Sequence, residues 1–253
     1  MILTLANQAG SAGKTTSAVS LAALLAEAGH SVLLVDSDAQ ANASTWLGVD
    51  EPELTTGDVL LKRAAAADAI VDTEVENLRL LPANDRLDGD VVELARALGA
   101  EQRLRLALES LPTPADVTII DCPGALSVLT VNALVASDAV VTVAQPTIKE
   151  LAGLPKMEST IEEVRAAYVP KLRLGAVIPC IVPPATSGAA YTEALQLLRE
   201  TYGELVTPPV RRSVRIPEAY AHQRPLPLHA PRDAVTEDYR AVVAHLHAAG
   251  LLP

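Results

Sequence analysis

Ten residues near the N-terminus, Asn7-Gln8-Ala9-Gly10-Ser11-Ala12-Gly13-Lys14-Thr15-Thr16, bring two glycines, a lysine and two adjacent hydroxyls together in an order suited to holding a polyphosphate. Gly10 and Gly13, with Ser11 and Ala12 between them, let the backbone approach an anion. Free N–H groups and the positive dipole end at the start of a following helix face the same anion. Lys14 supplies a charge for the β- and γ-phosphates, and the Thr15 hydroxyl is the type of ligand that Mg²⁺ takes beside them. The general G-x-x-x-x-G-K-[ST] pattern fails at its first position, where Gln8 stands. Two other readings compete: a purely structural glycine turn, and a dinucleotide-binding turn closed by an acid such as Asp36 on the next strand. Gly-Lys-Thr-Thr at a helix start disfavours both, because a lysine and hydroxyl pair aimed at phosphates serves a nucleoside triphosphatase and not a dehydrogenase.

These residues need a scaffold, and the apolar pattern supplies one. Strands are expected over Ile2 to Ala6, Ser31 to Val35, Leu78 to Leu81, Val117 to Ile120, Ala139 to Ala144 and Leu174 to Ile178. Helices are expected over Thr15 to Ala28, Val91 to Leu98, Glu101 to Leu108, Val128 to Val135, from Pro146 to about Ala167, Ala189 to Glu200 and Asp233 to Ala248. Strands that are apolar on both faces and alternate with helices imply an α/β fold: one doubly wound, mostly parallel sheet with helices on both faces, spanning residues 1–253 as a single nucleotide-binding domain. Asp36 and Asp121 each close an apolar strand, at the edge of a parallel sheet where ligands bind. Either could instead cap a turn. Asp38 makes a third acid around the same loop, which favours metal and water chemistry at a phosphate.

Composition narrows the classes further. The 253 residues are 49% hydrophobic and 20% charged with a net charge of −11, so the chain has ample apolar material for a core and is not intrinsically disordered. Two cysteines, Cys122 and Cys180, make no disulfide framework, and the N-terminus shows no secretory pattern, so a cytoplasmic location is expected. No run approaches the ~20 apolar residues of a membrane span. Residues 1–150 hold 9 Lys/Arg against 21 Asp/Glu, whereas residues 151–253 hold 11 against 10. The densest basic cluster in that second part is Arg211, Arg212 and Arg215. Beside prolines it reads either as a solvated loop or as a local, salt-sensitive contact with nucleic-acid phosphates.

Four segments in order resemble the ParA/MinD group of deviant Walker-A ATPases, and within it the ParA partition proteins. They are Asn7 through Thr16, Val35-Asp36-Ser37-Asp38-Ala39-Gln40-Ala41-Asn42-Ala43, Thr118-Ile119-Ile120-Asp121-Cys122-Pro123, and Asn132-Ala133-Leu134-Val135 on to Gln145-Pro146. A weaker fifth is Val214-Arg215-Ile216-Pro217-Glu218-Ala219. The resemblance implies a P-loop fold, with ATP and Mg²⁺ as cofactors. On it, Lys14 binds phosphate, Thr15 ligates Mg²⁺, Thr16 contacts the α-phosphate, Pro217 lies at the nucleotide, Asp36 and Asp121 hold the metal's hydration shell, and Asp38 orients or activates the attacking water. It also implies an ATP hydrolase that is slow until stimulated, a homodimer formed with ATP, nonspecific DNA as a substrate surface, a ParB-like or other adaptor, and a nucleoid-associated location. Arg215, with Arg211 and Arg212 beside it, is the matching basic position for DNA phosphate, while Ala185 replaces another such arginine. A membrane role like that of MinD is not expected, because the last helix lacks a basic amphipathic face.

One departure bears on mechanism. The family's loop begins Lys-Gly-Gly, and that first lysine reaches across an ATP-sandwich dimer, but here the three positions are Ala9, Gly10 and Ser11. The chain has five lysines, Lys14, Lys62, Lys149, Lys156 and Lys171, and Lys149 follows Gln145-Pro146 at the carboxyl end of a strand. Lys149 is therefore either a relocated trans-acting lysine or an ordinary helix-start lysine facing water. Three functional classes follow: a plasmid- or chromosome-segregating ATPase, a related ATPase that positions a protein cargo such as carboxysomes, and a nucleotide-gated scaffold with negligible turnover.

Overall fold

A computed structural model describes residues 1–7, 13–184, 186 and 188–253. Gly10, Ser11 and Ala12 of the expected phosphate loop, and Ala185, lie outside the described residues. The strands are β1 (Ile2–Leu5), β2 (Val32–Asp36), β3 (Val71–Asp72), β4 (Leu78–Leu81), β5 (Val117–Asp121), β6 (Ala139–Ala144) and β7 (Arg173–Pro179). Among the described residues they form one seven-stranded sheet in the order β3-β4-β2-β5-β1-β6-β7. All neighbours are parallel except the two-residue edge strand β3, which runs antiparallel to β4.

Both faces of the sheet are covered, as the continuous apolar strands require. Along β2 the side chains alternate between two cores: Val32 and Leu34 join one, Leu33 and Val35 the other. The first core is closed by α1 (Lys14–Glu27), which is buried over most of its length, and by α13 (Ala234–Ala248), which packs against it. Helices α3 (Thr56–Leu60), α5 (Leu87–Leu94), α6 (Arg103–Glu109), α7 (Val128–Ala136) and α9 (Leu154–Ala167) contribute to the second. A smaller cluster joins Ala144 and Val177 to Leu154 and to Leu198 of α10 (Ala189–Tyr202). The buried face of α13, Val235, Thr236, Tyr239, Val242 and Leu246, is thus used inside the protein. No helix among the described residues is long and apolar enough to cross a membrane.

Two expectations needed correction. The helix expected at Val91 begins at Leu87, because the turn over Asn84 to Arg86 starts it earlier than its apolar residues signal. The single helix expected from Pro146 to Ala167 is two, α8 (Ile148–Leu151) and α9, separated at Ala152 and Gly153. The last turn before Gly153 is closed by bonds back to Ile148 and Glu150. The remaining short helices, α2 (Asn42–Trp46), α4 (Ala66–Ala69), α11 (Arg215–Ala221) and α12 (Leu226–His229), have too few residues to show a periodic apolar stripe.

Candidate phosphate and metal site

The sheet order makes β5 the neighbour of both β1 and β2, so three strand ends meet at one edge. In register, Asp36 of β2 pairs with Asp121 of β5, and Asp121 pairs with Leu5 of β1. Just beyond β1, Asn7 is buried and donates through Nδ2 to the Val143 carbonyl of β6 at 2.9 Å. The Lys14 ammonium donates to Asn7 Oδ1 at 2.6 Å, so the lysine that opens α1 is held by a side chain anchored to the sheet. Gly13 supplies the left-handed residue before Lys14 at φ 94°, and the Cβ of Cys180 stands 3.3 Å from where a side chain would project. Any larger residue at position 13 meets both backbone strain and Cys180.

The electrostatics mark this as a cation and anion site. Asp36 and Asp121 are fully buried side by side, and Lys14 is 7% exposed. Burial raises the Asp36 carboxyl to about 6, against the donors from Ser44 and the Asp38 backbone. Asp121 is pushed well above the carboxylate range by burial first and then by Asp36, with Thr15 and Lys14 pulling the other way. The Lys14 ammonium is lowered by desolvation, opposed chiefly by Asp121, with Asp38 and Glu150 also nearby. Both Asp121 oxygens are buried without a hydrogen-bond partner among the described residues. A bare buried carboxylate costs on the order of several kcal/mol, which a metal with its water shell would offset. The described residues contain no cluster of three or more His, Cys, Asp or Glu suited to a metal.

Asp38 is half-buried in the turn that follows. Its backbone N–H donates to Asp36 Oδ1 at 3.2 Å, and its own Oδ1 accepts from the Gln40 N–H at 3.0 Å. The chain then turns at Ala41, a non-glycine residue at φ 49°, into α2. Thr15 and Thr16 are half-buried on the first turn of α1. Pro217 is exposed on α11, and Lys149 is exposed on α8. Cys122, beside Asp121, is buried with its thiol pushed well up by desolvation, which suits packing and not nucleophilic attack.

The basic cluster is less free than its composition implies. Arg211 is clamped on both oxygens of Asp238 at 2.6 and 2.7 Å, and Arg215 pairs with Glu218 at 2.8 Å and Asp233 at 3.4 Å. Arg212 is exposed and makes no ion pair among the described residues. Two residues of the site escaped sequence reasoning, Asn7 as the partner of Lys14 and Ser44 as a donor to Asp36. Asn7 belongs to a quoted segment and Ser44 lies one residue beyond another, but nothing in their type marks a contact made across the fold.

The acid pair gives a pH prediction. A folded-state pKa above the unfolded value means the native protein binds the extra protons. The pair therefore favours folding at low pH, and that contribution is lost as pH rises through about 6. Without ligands, the thermal midpoint should fall between pH 5 and pH 7.5, and Asp121→Asn should flatten the fall. A wild-type midpoint that is level or rises across this range contradicts the assignment.

A parallel sheet with a lysine, hydroxyls and two carboxylates gathered at its carboxyl edge defines the P-loop nucleotide-binding class. Residues 1–174 match the family described as an AAA domain. The sporulation initiation inhibitor protein Soj of Bacillus subtilis is 36% identical, covering 98% of this chain and 99% of its own. The chromosome partitioning protein ParA of Caulobacter vibrioides is 37% identical, covering 94% and 90%. The chain belongs to that family and, within it, to the ParA/MinD-type P-loop ATPases. Among solved structures, cobyrinic acid a,c-diamide synthase from Mycobacterium smegmatis with bound ADP and magnesium superposes with a TM-score of 0.83 at 31% identity, covering 98% of this chain and 94% of that one. Apo McdA from Cyanothece superposes at 0.87 with 24% identity, covering 97% and 98%, a likeness of fold alone.

Proposed function

We propose that this protein is a chromosome- or plasmid-partitioning ATPase that binds Mg²⁺ and ATP, dimerises with nucleotide bound and holds nonspecific DNA until an adaptor stimulates hydrolysis. The observation that carries the reading is the buried Asp36 and Asp121 pair, with both Asp121 oxygens without a hydrogen bond among the described residues, beside Lys14 at the sheet edge. Lys14 is the cation for the phosphates, Thr15 and the two carboxylates hold the metal, and Thr16 meets the α-phosphate. Mg²⁺, when bound, neutralises phosphate charge that would otherwise repel an incoming nucleophile. Asp38, at the edge of the site and half-exposed, orients the water. Gly10, Ser11 and Ala12 complete the phosphate loop, and Pro217 reaches the nucleotide from α11. The chromosome-partitioning names of two relatives, ParA of Caulobacter vibrioides and Soj of Thermus thermophilus, support the cargo.

On DNA, Arg212 carries more of the phosphate contact than Arg211 or Arg215, whose guanidinium groups are already engaged by Asp238, Glu218 and Asp233. In ATP-loaded protein, Arg212→Ala should weaken binding uniformly across sequences and reduce the salt slope by about 1. An ATP-loaded wild type that ignores DNA at low salt would exclude the DNA step. The absence of the family's first loop lysine, Ala9 here, favours a second reading, in which the same switch positions a protein cargo or serves as a nucleotide-gated scaffold. ATP turnover with and without DNA separates the scaffold from the other two.

A further inference from the structure

The carboxylate of Asp36 is oriented by α2, a helix of five residues. Asp36 Oδ2 accepts two hydrogen bonds from one residue, from the Ser44 N–H at 2.9 Å and from its hydroxyl at 2.8 Å. The same hydroxyl oxygen accepts from the Ala83 N–H at 2.9 Å. A hydroxyl has one proton, and a backbone N–H can only donate, so the Ser44 proton is directed to Asp36 and its oxygen to Ala83. Ser44 is fully buried, and neither bond competes with water.

With Asp38 donating to Oδ1, three of the roughly four acceptor positions of Asp36 are filled. The position left is on Oδ1, on the carboxylate that sits in register beside Asp121. Helix α2 is itself clamped from the far side. Trp46 donates through Nε1 to the Arg224 carbonyl at 3.0 Å and meets the Tyr220 ring edge to face at 5.3 Å, while the Tyr220 hydroxyl lies 3.3 Å from Asn42 Oδ1. The helix that carries Ser44 therefore has little freedom to rotate.

We propose that Ser44 is a positioning residue: it fixes the rotation of the Asp36 carboxylate so that one acceptor site remains directed to the metal's water shell. The inference rests on reading Asp36 as part of the Mg²⁺ site. Hydrogen bonds that orient a metal-site carboxylate are worth roughly 10- to 100-fold in metal affinity. Losing the hydroxyl should therefore raise the Mg²⁺ concentration for half-saturation by about tenfold.

The test is a Mg²⁺ titration at fixed non-hydrolysable ATP analogue, read by calorimetry and by the fluorescence of Trp46, the sole tryptophan of the chain. Wild type, Ser44→Ala, Ser44→Thr and Thr236→Val are compared, each with its thermal midpoint. Thr236 donates to the Ala230 carbonyl far from the site and controls for lost stability alone. Ser44→Ala is expected to shift half-saturation about tenfold, Ser44→Thr to restore it, and Thr236→Val to lower the midpoint with no shift. Should Ser44→Ala fail to fold, Ser44→Cys keeps the shape with a weaker donor and should give an intermediate shift. A folded Ser44→Ala or Ser44→Cys with wild-type half-saturation overturns the proposal. A wild type whose analogue binding ignores Mg²⁺ would instead sink the metal reading on which it rests, and the proposal with it.

Discussion

Lys14→Ala is expected to lower affinity for ATP by about a hundredfold or more and to abolish turnover. The ammonium is buried, donates to Asn7 at 2.6 Å and stands in the field of Asp121, Asp38 and Glu150. Its burial makes the charge costly to keep, and the nearby acids offset that cost. In such a site a single lost charge costs at least as much as a lost oxyanion donor, roughly 10²- to 10³-fold. A second effect sets this lysine apart from a surface one. Its removal takes away the cation that lowers the Asp121 carboxyl, so that carboxyl rises further and ligand-free Lys14→Ala holds its proton to higher pH. Lys14→Arg should not rescue, because the guanidinium is a broad planar fork and the space beside Asn7 is shaped by a point charge on a flexible stem. Calorimetric titration of ATP into the three proteins measures the first effect, and thermal melts at pH 5 and 7.5 the second. An alanine variant that binds ATP within threefold of wild type would remove Lys14 from the phosphate site.

The parts of this site that were legible in the sequence are those encoded by local chemistry. A parallel strand buried on both faces reads as an unbroken apolar run, so Val32 to Val35 and Val117 to Ile120 announced themselves, and the acids that end them, Asp36 and Asp121, were placed without any knowledge of pairing. That the two acids are register partners followed from strand order, which periodicity does not contain. The stretch from Asn42 to Ala69 was unreadable for a different reason. Its three helices run four or five residues, too short for an apolar stripe, and only α3 carries a side-chain cap, the reciprocal Thr55 and Asp58 box. The edge strand β3 has two residues and no alternation to read. The arginine cluster shows a different limit. Its acids were counted along the chain, yet Asp238, which holds Arg211, lies 27 residues away on α13. Charge counting finds a basic segment, and only the fold says which cations are already spent.

Lys149→Ala is expected to cut ATP turnover by about a hundredfold and to abolish ATP-dependent dimerisation, with Ala9→Lys in the same chain restoring both. Phosphoryl transfer depends on cations around the equatorial oxygens, and one supplied from a partner is worth roughly 10³- to 10⁵-fold in related chemistry. With Ala9 at the usual position, a substitute must sit at the same sheet edge, carry a free charge and point away from its own protomer. Lys149 lies on α8, just past the end of β6, and is exposed. Thr147 caps α8 by accepting from the Glu150 N–H, which fixes the helix just past the end of β6, and Glu150 is close enough to act on Lys14. Lys149 itself is exposed and makes no ion pair among the described residues. Its neighbour Ile148 is 76% exposed, so apolar surface lies beside the charge. Sedimentation with a non-hydrolysable ATP analogue reports dimerisation and phosphate release reports turnover. If Lys149→Ala does neither harm, the lysine is an ordinary helix-start residue in water. If wild type is inert while Ala9→Lys alone gains activity, Lys149 supplies no charge to the partner's nucleotide, and the protein works as a scaffold that its partner resets by another route.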